Sequence, residues 1–352
     1  ITEVALALMV LVGAGLMIQS FLRLRHVGAG FSEKDVLTFS VILPQAKYAE
    51  PTQRSEFFRQ LLARVSALPG VEAAAGTTTL PLKGGGWGRS LTVEGFPVLS
   101  VGQAPMIQHT VTTPGYFQAM GIPIVAGRDF NEWDAKDAEK VTIIDERLAR
   151  EYWPNESAVG KRIRFGPPED NEPWHKVIGV VGAVRHQRLD AETRKSVYLP
   201  HLQVPANGLS LVVRAQNPSS LAGALRSQVR EMDPDLPVNE LMLMEEVVSQ
   251  SIWQNRLYAI LFSVFAGVAV LLAAIGIYGV MSYTVTQRTQ EIGIRMALGA
   301  QQRQVSWLIL RQGLIQLVIG LALGLTAVLH GAITLKDGRV EQGNFDTYRP
   351  MR

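Results

Sequence analysis

The stretch whose residue types and spacing could do chemistry, or recruit it, is QRTQEIGIRMALGAQQRQ at residues 287–304. Glu291 and Arg295 stand four apart, which puts opposite charges together on one helix face, while Ile292 and Met296 share another. Gly299 suits the C-terminal cap of a helix over 289–298. Such a helix gives a partner protein something to push on; a basic loop that only sets orientation is the other reading of the same spacing. Elsewhere the familiar catalytic patterns are missing. Gly160-Lys161 is followed by Arg162 and lacks the earlier glycine of a phosphate-binding GxxxxGK[ST] run. His175, His186 and His201 are too widely spaced for a local metal motif and read as surface or core histidines. Asp134, Asp137 and Glu139 could be drawn as a carboxylate pair, but acids in a loop form a solvated face more often. Gly84-Gly85-Gly86 reads as a mobile loop because no helix start follows it. No catalytic, cofactor or metal-binding residue is assigned.

The elements that must hold residues 287–304 are apolar runs on either side. Between 257 and 286 there is no charged side chain, and about 20 apolar residues at 1.5 Å each cross a hydrocarbon core. Residues 305–329 and residues 1–24 are two further runs of this kind, so three membrane spans are expected. Arg288, Arg295 and Arg303 against the single Glu291 put the turn between the last two spans on the cytoplasmic side. Arg23 and Arg25 oppose that orientation, but a large domain translocates largely regardless of charge. Trp253 and Tyr258, with Tyr283 and Trp307, suit the two membrane interfaces, and Arg311 reaches for the inner surface. Gly320 and Gly324 form a GxxxG pair in the third span. Ala269 and Ala273 do similar service in the second, all four residues being small enough for close helix packing. Residues 244–256 are amphipathic and run without a breaker into the second span, so residues 251–286 read as stalk plus span, one continuous stiff rod.

Residues 25–250 carry charges of both signs, frequent Gly and Pro and short β-rich runs. The pattern reads strand (36–43), helix (52–68, with Phe58, Leu61, Leu62 and Val65 on one stripe), strand (71–80). Near the far end it recurs as a strand over 209–215, a helix begun by Pro218 and capped by Asn217, and an extended run over 237–242. The predicted fold is an α+β extracytoplasmic domain of paired β-α-β halves, with a mixed subdomain inserted at about 103–202, on a transmembrane α-helical base of three spans. Within the insert, 141–144 and 177–184 read as strands and 145–152 as a helix. The positive mean hydropathy, with 47% hydrophobic residues among 352, fits a membrane protein. A formal charge of +3 with the surplus beside the spans does not imply nucleic acid. Zero cysteines exclude disulfides and thiolate metal sites. The start on Ile1, without an initiator Met, is expected of a fragment.

On these residues the chain resembles the FtsX-like permease family, the membrane subunits of MacB-type ABC transporters. The run QRTQEIGIRMALGA after an Ile-Gly-Ile-Tyr-Gly-Val-Met helix end is similar to that family's coupling helix. The stretches VTTPGYFQAMGIPIVAGRDF, VTIIDERLAREYWPNESAVGKRIRFG and VIGVVGAVRHQRLDAETRKSVYLP resemble the periplasmic domain of the same permeases, most closely the acidobacterial duplicated orphan permeases. The resemblance implies that Glu291, Ile292, Gly293, Arg295, Ala297, Leu298 and Gly299 dock on an ABC ATP-binding subunit, a separate chain that supplies hydrolysis. It further implies a second permease module, as a homodimer or a fused tandem copy, a periplasmic adaptor protein as a further partner, the lipid bilayer as surroundings, and a bacterial inner (plasma) membrane location with several spans. ATP-driven efflux by mechanical transmission is the activity it implies; an FtsX-like relay that controls an extracytoplasmic protein partner is the alternative. Residues 330–352 depart from the pattern. They resemble a segment of the molybdopterin-binding subunit of xanthine-dehydrogenase-type hydroxylases, with no metal or catalytic motif, as a junction between unrelated sequences would produce.

Overall fold

The structure, a computed structural model, describes residues 2–26, 28–84, 87–97, 106–166, 172–187 and 194–291, with 294, 307, 311, 314–315, 317–326 and 330. The chain divides into two compact units, one of residues 1–26 and 253–352, the other of residues 27–252. It opens with α1 (Thr2–His26), and β1 (Val36–Ile42), α2 (Pro51–Ser66) and β2 (Val71–Thr77) follow. The second half of the pattern is β10 (Gly208–Ala215), a 3-10 turn at Pro218–Leu221, α5 (Ala222–Met232) and β11 (Asn239–Leu243). The two halves interleave as an antiparallel sheet in the order β11-β1-β10-β2, a split β-α-β arrangement.

Parity sorts the faces of this sheet. Leu37, Phe39 and Val41 of β1 and Leu209, Leu211 and Val213 of β10 turn one way and pack with Phe57, Phe58, Leu61 and Val65 of α2 and Leu225 and Val229 of α5. Pro51 at the first turn and the Glu50 N–H, which donates to Gln53 Oε1 at 3.3 Å, set the start of α2. Asn217 makes no side-chain cap; its backbone carbonyl accepts from the Ser220 hydroxyl and N–H instead, which tightens the first turn to 3-10. The opposite face of the sheet carries Val36, Val212 and Ala75 into a second cluster with α3 (Tyr116–Met120).

The inserted strands close on themselves. β3 (Trp87–Val93), β4 (Met106–Thr112), β6 (Val141–Asp145), β7 (Arg162–Phe165), β8 (His175–Val181) and β9 (Ser196–Pro200) run in the order β4-β3-β7-β8-β6-β9, and β9 pairs back to β4 in parallel. A closed ring leaves no free edge within it. Its inner face holds Leu91, Val93, Ile107, Ile163, Phe165, Val177, Val197 and Leu199, and α4 (Glu146–Tyr152) adds Leu148. β5 (Ile124–Gly127) lies outside the ring, paired to β8. Among the described residues the ring meets the open sheet at the pair Thr77 with Thr112, flanked by the Thr78 N–H donating to Val111 O and the Thr113 N–H to Gly76 O, both at 2.9 Å. Because β3 pairs with β4 and β7, the insert begins before residue 103: the expected 103–202 boundary misses a strand whose short run WGRSLTV carries little apolar signal.

The other unit holds α1, α7 (Trp253–Gln287) and α8 (Leu317–Thr326). Among the described residues Arg256–Gln287 is the one helix long and apolar enough to cross a membrane; the apolar parts Ala5–Ser20 and Leu317–Thr326 are shorter. The continuous rod expected over 244–286 is corrected. α6 (Met244–Ser251) ends where Ile252 leaves helical geometry (φ −107°, ψ 2°), and α7 starts at Trp253.

Candidate coupling site and the helices that hold it

α7 carries the chain to the edge of the coupling segment. Beyond Gln287 the backbone tightens: the Arg288 N–H lies within hydrogen-bond distance of both the Thr284 and Val285 carbonyls, at 3.3 and 3.2 Å. The Thr289 hydroxyl donates to Val285 and Thr286 carbonyls. The Thr284 and Thr286 hydroxyls bond carbonyls four residues back, the usual way a hydroxyl is satisfied in an apolar helix. Glu291 and Ile294 are exposed. Ile292, Gly293, Arg295, Ala297, Leu298 and Gly299, the rest of the expected docking face, lie outside the described residues, as does the segment 331–352.

Small residues stand where α1 meets α7 and α8. Ala7 and Ala273 are buried together, with Ala269 and Ile277 packed against them. Gly320 is buried on α8. A Cβ built on Gly324 would lie 2.9 Å from the Ala5 carbonyl oxygen and 3.0 Å from Leu8 Cδ2. The missing side chain is what lets the two backbones approach.

Gly160, Lys161 and the histidines singled out from the sequence are engaged in structure. The Gly160 N–H donates to Val177 O and the Lys161 N–H to Ala158 O, while Lys161 Nζ sits 2.6 Å from Glu156. No fan of free N–H groups faces solvent there, as a phosphate cradle needs. The histidines are core residues: His186 and His201 are buried, and burial pushes each imidazole down to about 4. His186 Nε2 lies 3.1 Å from the Tyr198 hydroxyl, and His201 meets Phe58 edge-on. Inside the ring, His109 and His175 flank Phe165 edge-on at 5.7 and 4.9 Å, with the Arg89 guanidinium 5.6 Å over the same benzene ring. Burial, then the Arg89 and His175 charges, push His109 down to about 4. Among the described residues no three His, Asp or Glu side chains gather as a metal site would require.

Asp134 departs from the expected solvated face. It is buried and takes a bidentate pair from Arg128 at 2.7 and 2.8 Å plus the Asn131 N–H at 2.9 Å. Burial pushes its carboxyl up, but the Arg128 hydrogen bonds, the Asn131 N–H and the Arg128 charge together hold it below the ordinary carboxylate value. Asp137 and Glu139 stay exposed. Two residues were missed from sequence: Asp145, the buried N-cap of α4, and Arg214 on β10. The signal for Arg214 was present, since it is the one charged residue in the strand GLSLVVRA.

Against known proteins, residues 4–231 match the MacB-like periplasmic core domain family, which is well over half of the chain. The chain belongs to that family. Residues 263–346 match the FtsX-like permease C-terminal family, so the FtsX/MacB-type permease order, core domain first and permease segment second, runs through one chain. That second match takes in the coupling segment, both small-residue pairs and most of the segment from residue 330. A probable export ATP-binding/permease protein of Pseudomonas fluorescens is 28% identical over 60% of this chain and 33% of its own length. The macrolide export ATP-binding/permease protein MacB of Escherichia coli is 25% identical over 63% of this chain and 35% of its own. The chain therefore spans about a third of the length of these relatives. The crystal structure of the periplasmic region of MacB from Actinobacillus actinomycetemcomitans aligns with 63% of this chain and 94% of its own at 17% identity and a TM-score of 0.42.

Proposed function

We propose that this chain is the permease part of an ATP-driven exporter, passing movement from an ATP-binding component to the unit of residues 27–252 on the far side of the membrane. The observation that carries this reading is the order of the two family matches along the chain, with the long apolar helix α7 between the folded unit and the coupling segment. The relatives named above join ATP-binding and permease in their names; here the ATP-binding component is a partner to which Glu291, Ile292, Gly293, Arg295, Ala297, Leu298 and Gly299 dock. The base comprises three spans at residues 1–24, 257–286 and 305–329 in the bacterial plasma membrane. The contacts of Ala273 with Ala7 and of Gly324 with Ala5 support close packing of the three. A second permease module completes the membrane core, and cargo is handled on the outer face.

ATPase activity of the assembled complex tests this. Glu291→Lys reverses the charge on the docking face and Gly293→Pro removes an N–H and breaks the helix. Either is expected to abolish stimulation of hydrolysis by the permease. Stimulation at the unsubstituted level in both variants would remove the coupling role.

A further inference from the structure

α6 stops at Ile252, while the segment entering the folded unit at residues 28–35 is held by backbone hydrogen bonds to three separate parts of it. The Ser32 N–H donates to Met120 O at 2.8 Å, at the end of α3. The Arg185 N–H donates to Ala29 O at 3.0 Å, and the Ala215 N–H to Asp35 O at 3.0 Å. Gly30 adopts φ +84°, and a Cβ there would lie 2.0 Å from the Ala183 carbonyl oxygen, so only glycine lets the segment lie this close to the ring. Phe31 packs against the cluster that includes Met120 and Ile122, and into which α6 places Met244 and Val247.

Arg214 gathers these contacts. It sits on β10, opposite Val36 of β1 and Ala73 of β2, on the face of the sheet that turns toward α3. Its Nε donates to Ala119 O at 2.9 Å, its Nη1 to Lys34 O at 3.0 Å, and its Nη2 to Ser32 O at 3.4 Å. All three acceptors are backbone carbonyls, two on the entering segment and one in the last turn of α3, which ends in orphan carbonyls. A planar guanidinium reaches three such acceptors at fixed angles; an ammonium is a single point.

We infer that Arg214 is a positioning residue that fastens the entering segment to α3 and the sheet, so that a displacement of the chain arriving from residues 2–26 moves the folded unit as one piece. The transfer of movement rests on the function proposed above; the fastening does not.

Hydrogen exchange on the full chain in detergent tests the fastening. Arg214→Gln is expected to speed exchange of the Ser32 amide tenfold or more, with α2 and β6 unchanged. Arg214→Lys keeps the charge and is expected to fall between the two. Ser32 exchange unaltered in Arg214→Gln, or acceleration spread evenly over the unit in both variants, would overturn the fastening.

Transfer is read in the complex with its ATPase. Arg214→Gln is expected to leave ATP hydrolysis unchanged and to reduce several-fold the difference in exchange across the ring strands that ATP with vanadate produces. An undiminished difference would overturn the transfer role. Glu291→Lys tests the underlying function separately; if stimulation survives there, exchange at Ser32 alone decides the role of Arg214.

Discussion

Replacing Asp145 with alanine tests how the ring is held at its tightest polar point. The carboxylate is fully buried. Oδ1 accepts the Leu148 N–H at 2.8 Å and so caps α4, while Oδ2 accepts the Ser196 N–H of β9 at 3.0 Å and Arg147 Nη2 at 2.7 Å. Losing a helix cap costs about 1 kcal/mol. Leaving the buried Ser196 N–H without its acceptor costs about 1–3 kcal/mol more. Arg147, partly exposed and still donating to Arg194 O, loses less than a fully buried cation would. Against this, burial raises the Asp145 carboxyl above the ordinary value despite the Arg147 charge and the N–H groups facing it, so part of the carboxylate's contribution is already offset in the native protein. The expected net loss is about 3 kcal/mol, a fall in melting midpoint of roughly 6–12 °C for a unit of this size. Thermal unfolding of the full chain in detergent, followed by limited proteolysis at each temperature, measures it. Arg147→Ala should cost roughly 1–2 kcal/mol, and the double variant less than the sum of the two, because the groups share one contact. A midpoint for Asp145→Ala within about 2 °C of the unsubstituted chain would refute the assignment of both backbone bonds to this carboxylate.

Two glycines make a matched pair for the backbone argument. Gly127 holds φ +75° with a would-be Cβ 2.2 Å from Ile178 O, whereas Gly223, inside α5, has nothing within 4 Å; Gly127→Ala should destabilise by about 2–4 kcal/mol and Gly223→Ala should stabilise by roughly 0.5–1 kcal/mol, both read as shifts in the same unfolding midpoint. Acid should weaken the folded unit through His186 and His201, whose imidazoles fall to about 4 when buried against about 6.5 unfolded. Each depressed group contributes stability that is complete above about pH 6.5 and lost as the pH falls through about 4, on the order of 3 kcal/mol apiece. A midpoint unchanged between pH 7.5 and pH 4.5 would show that these rings are not buried neutral.

The open sheet was legible because each of its signals is local. Strand alternation over 36–42, the stripe of α2 and the turns Leu68-Pro69-Gly70 and Asp233-Pro234-Asp235 that follow the two helices are each short-range, and two such β-α-β halves have few ways to share a sheet. The ring was not legible, because its closure depends on β4 pairing in parallel with β9, Gln108 against Ser196, across nearly the whole insert. Parallel pairing needs a long crossover and leaves no turn signature. β3 was lost for a related reason: Gly88, Arg89 and Ser90 dilute its alternation, yet the ring accepts them because Met106 and Arg194 side chains fill the space beside Gly88. The interruption at Ile252 has no Gly or Pro to announce it.

The same contrast bears on how such a permease could transmit force. The expected coupling segment is read from one continuous run of sequence, residues 287–304. The mechanical connections inside the folded unit are backbone hydrogen bonds and close approaches, and these ask of the sequence only that a few positions be right: Gly30 small, Gly121 free to take φ +65°, Arg214 long and planar. Residues of that kind look unremarkable one at a time. A ring without free edges shares one buried cluster with a four-stranded sheet, Val36, Ala75 and Val212 meeting Ile143, Val181 and Tyr198, and the two are pinned at the junction of Thr77 with Thr112. Displacement entering at residues 28–35 is therefore shared among α3, the loop carrying Ala183 and Arg185, and β10, supports on both sides of that junction. Loosening one of them should then redistribute motion to the junction before it unfolds either body.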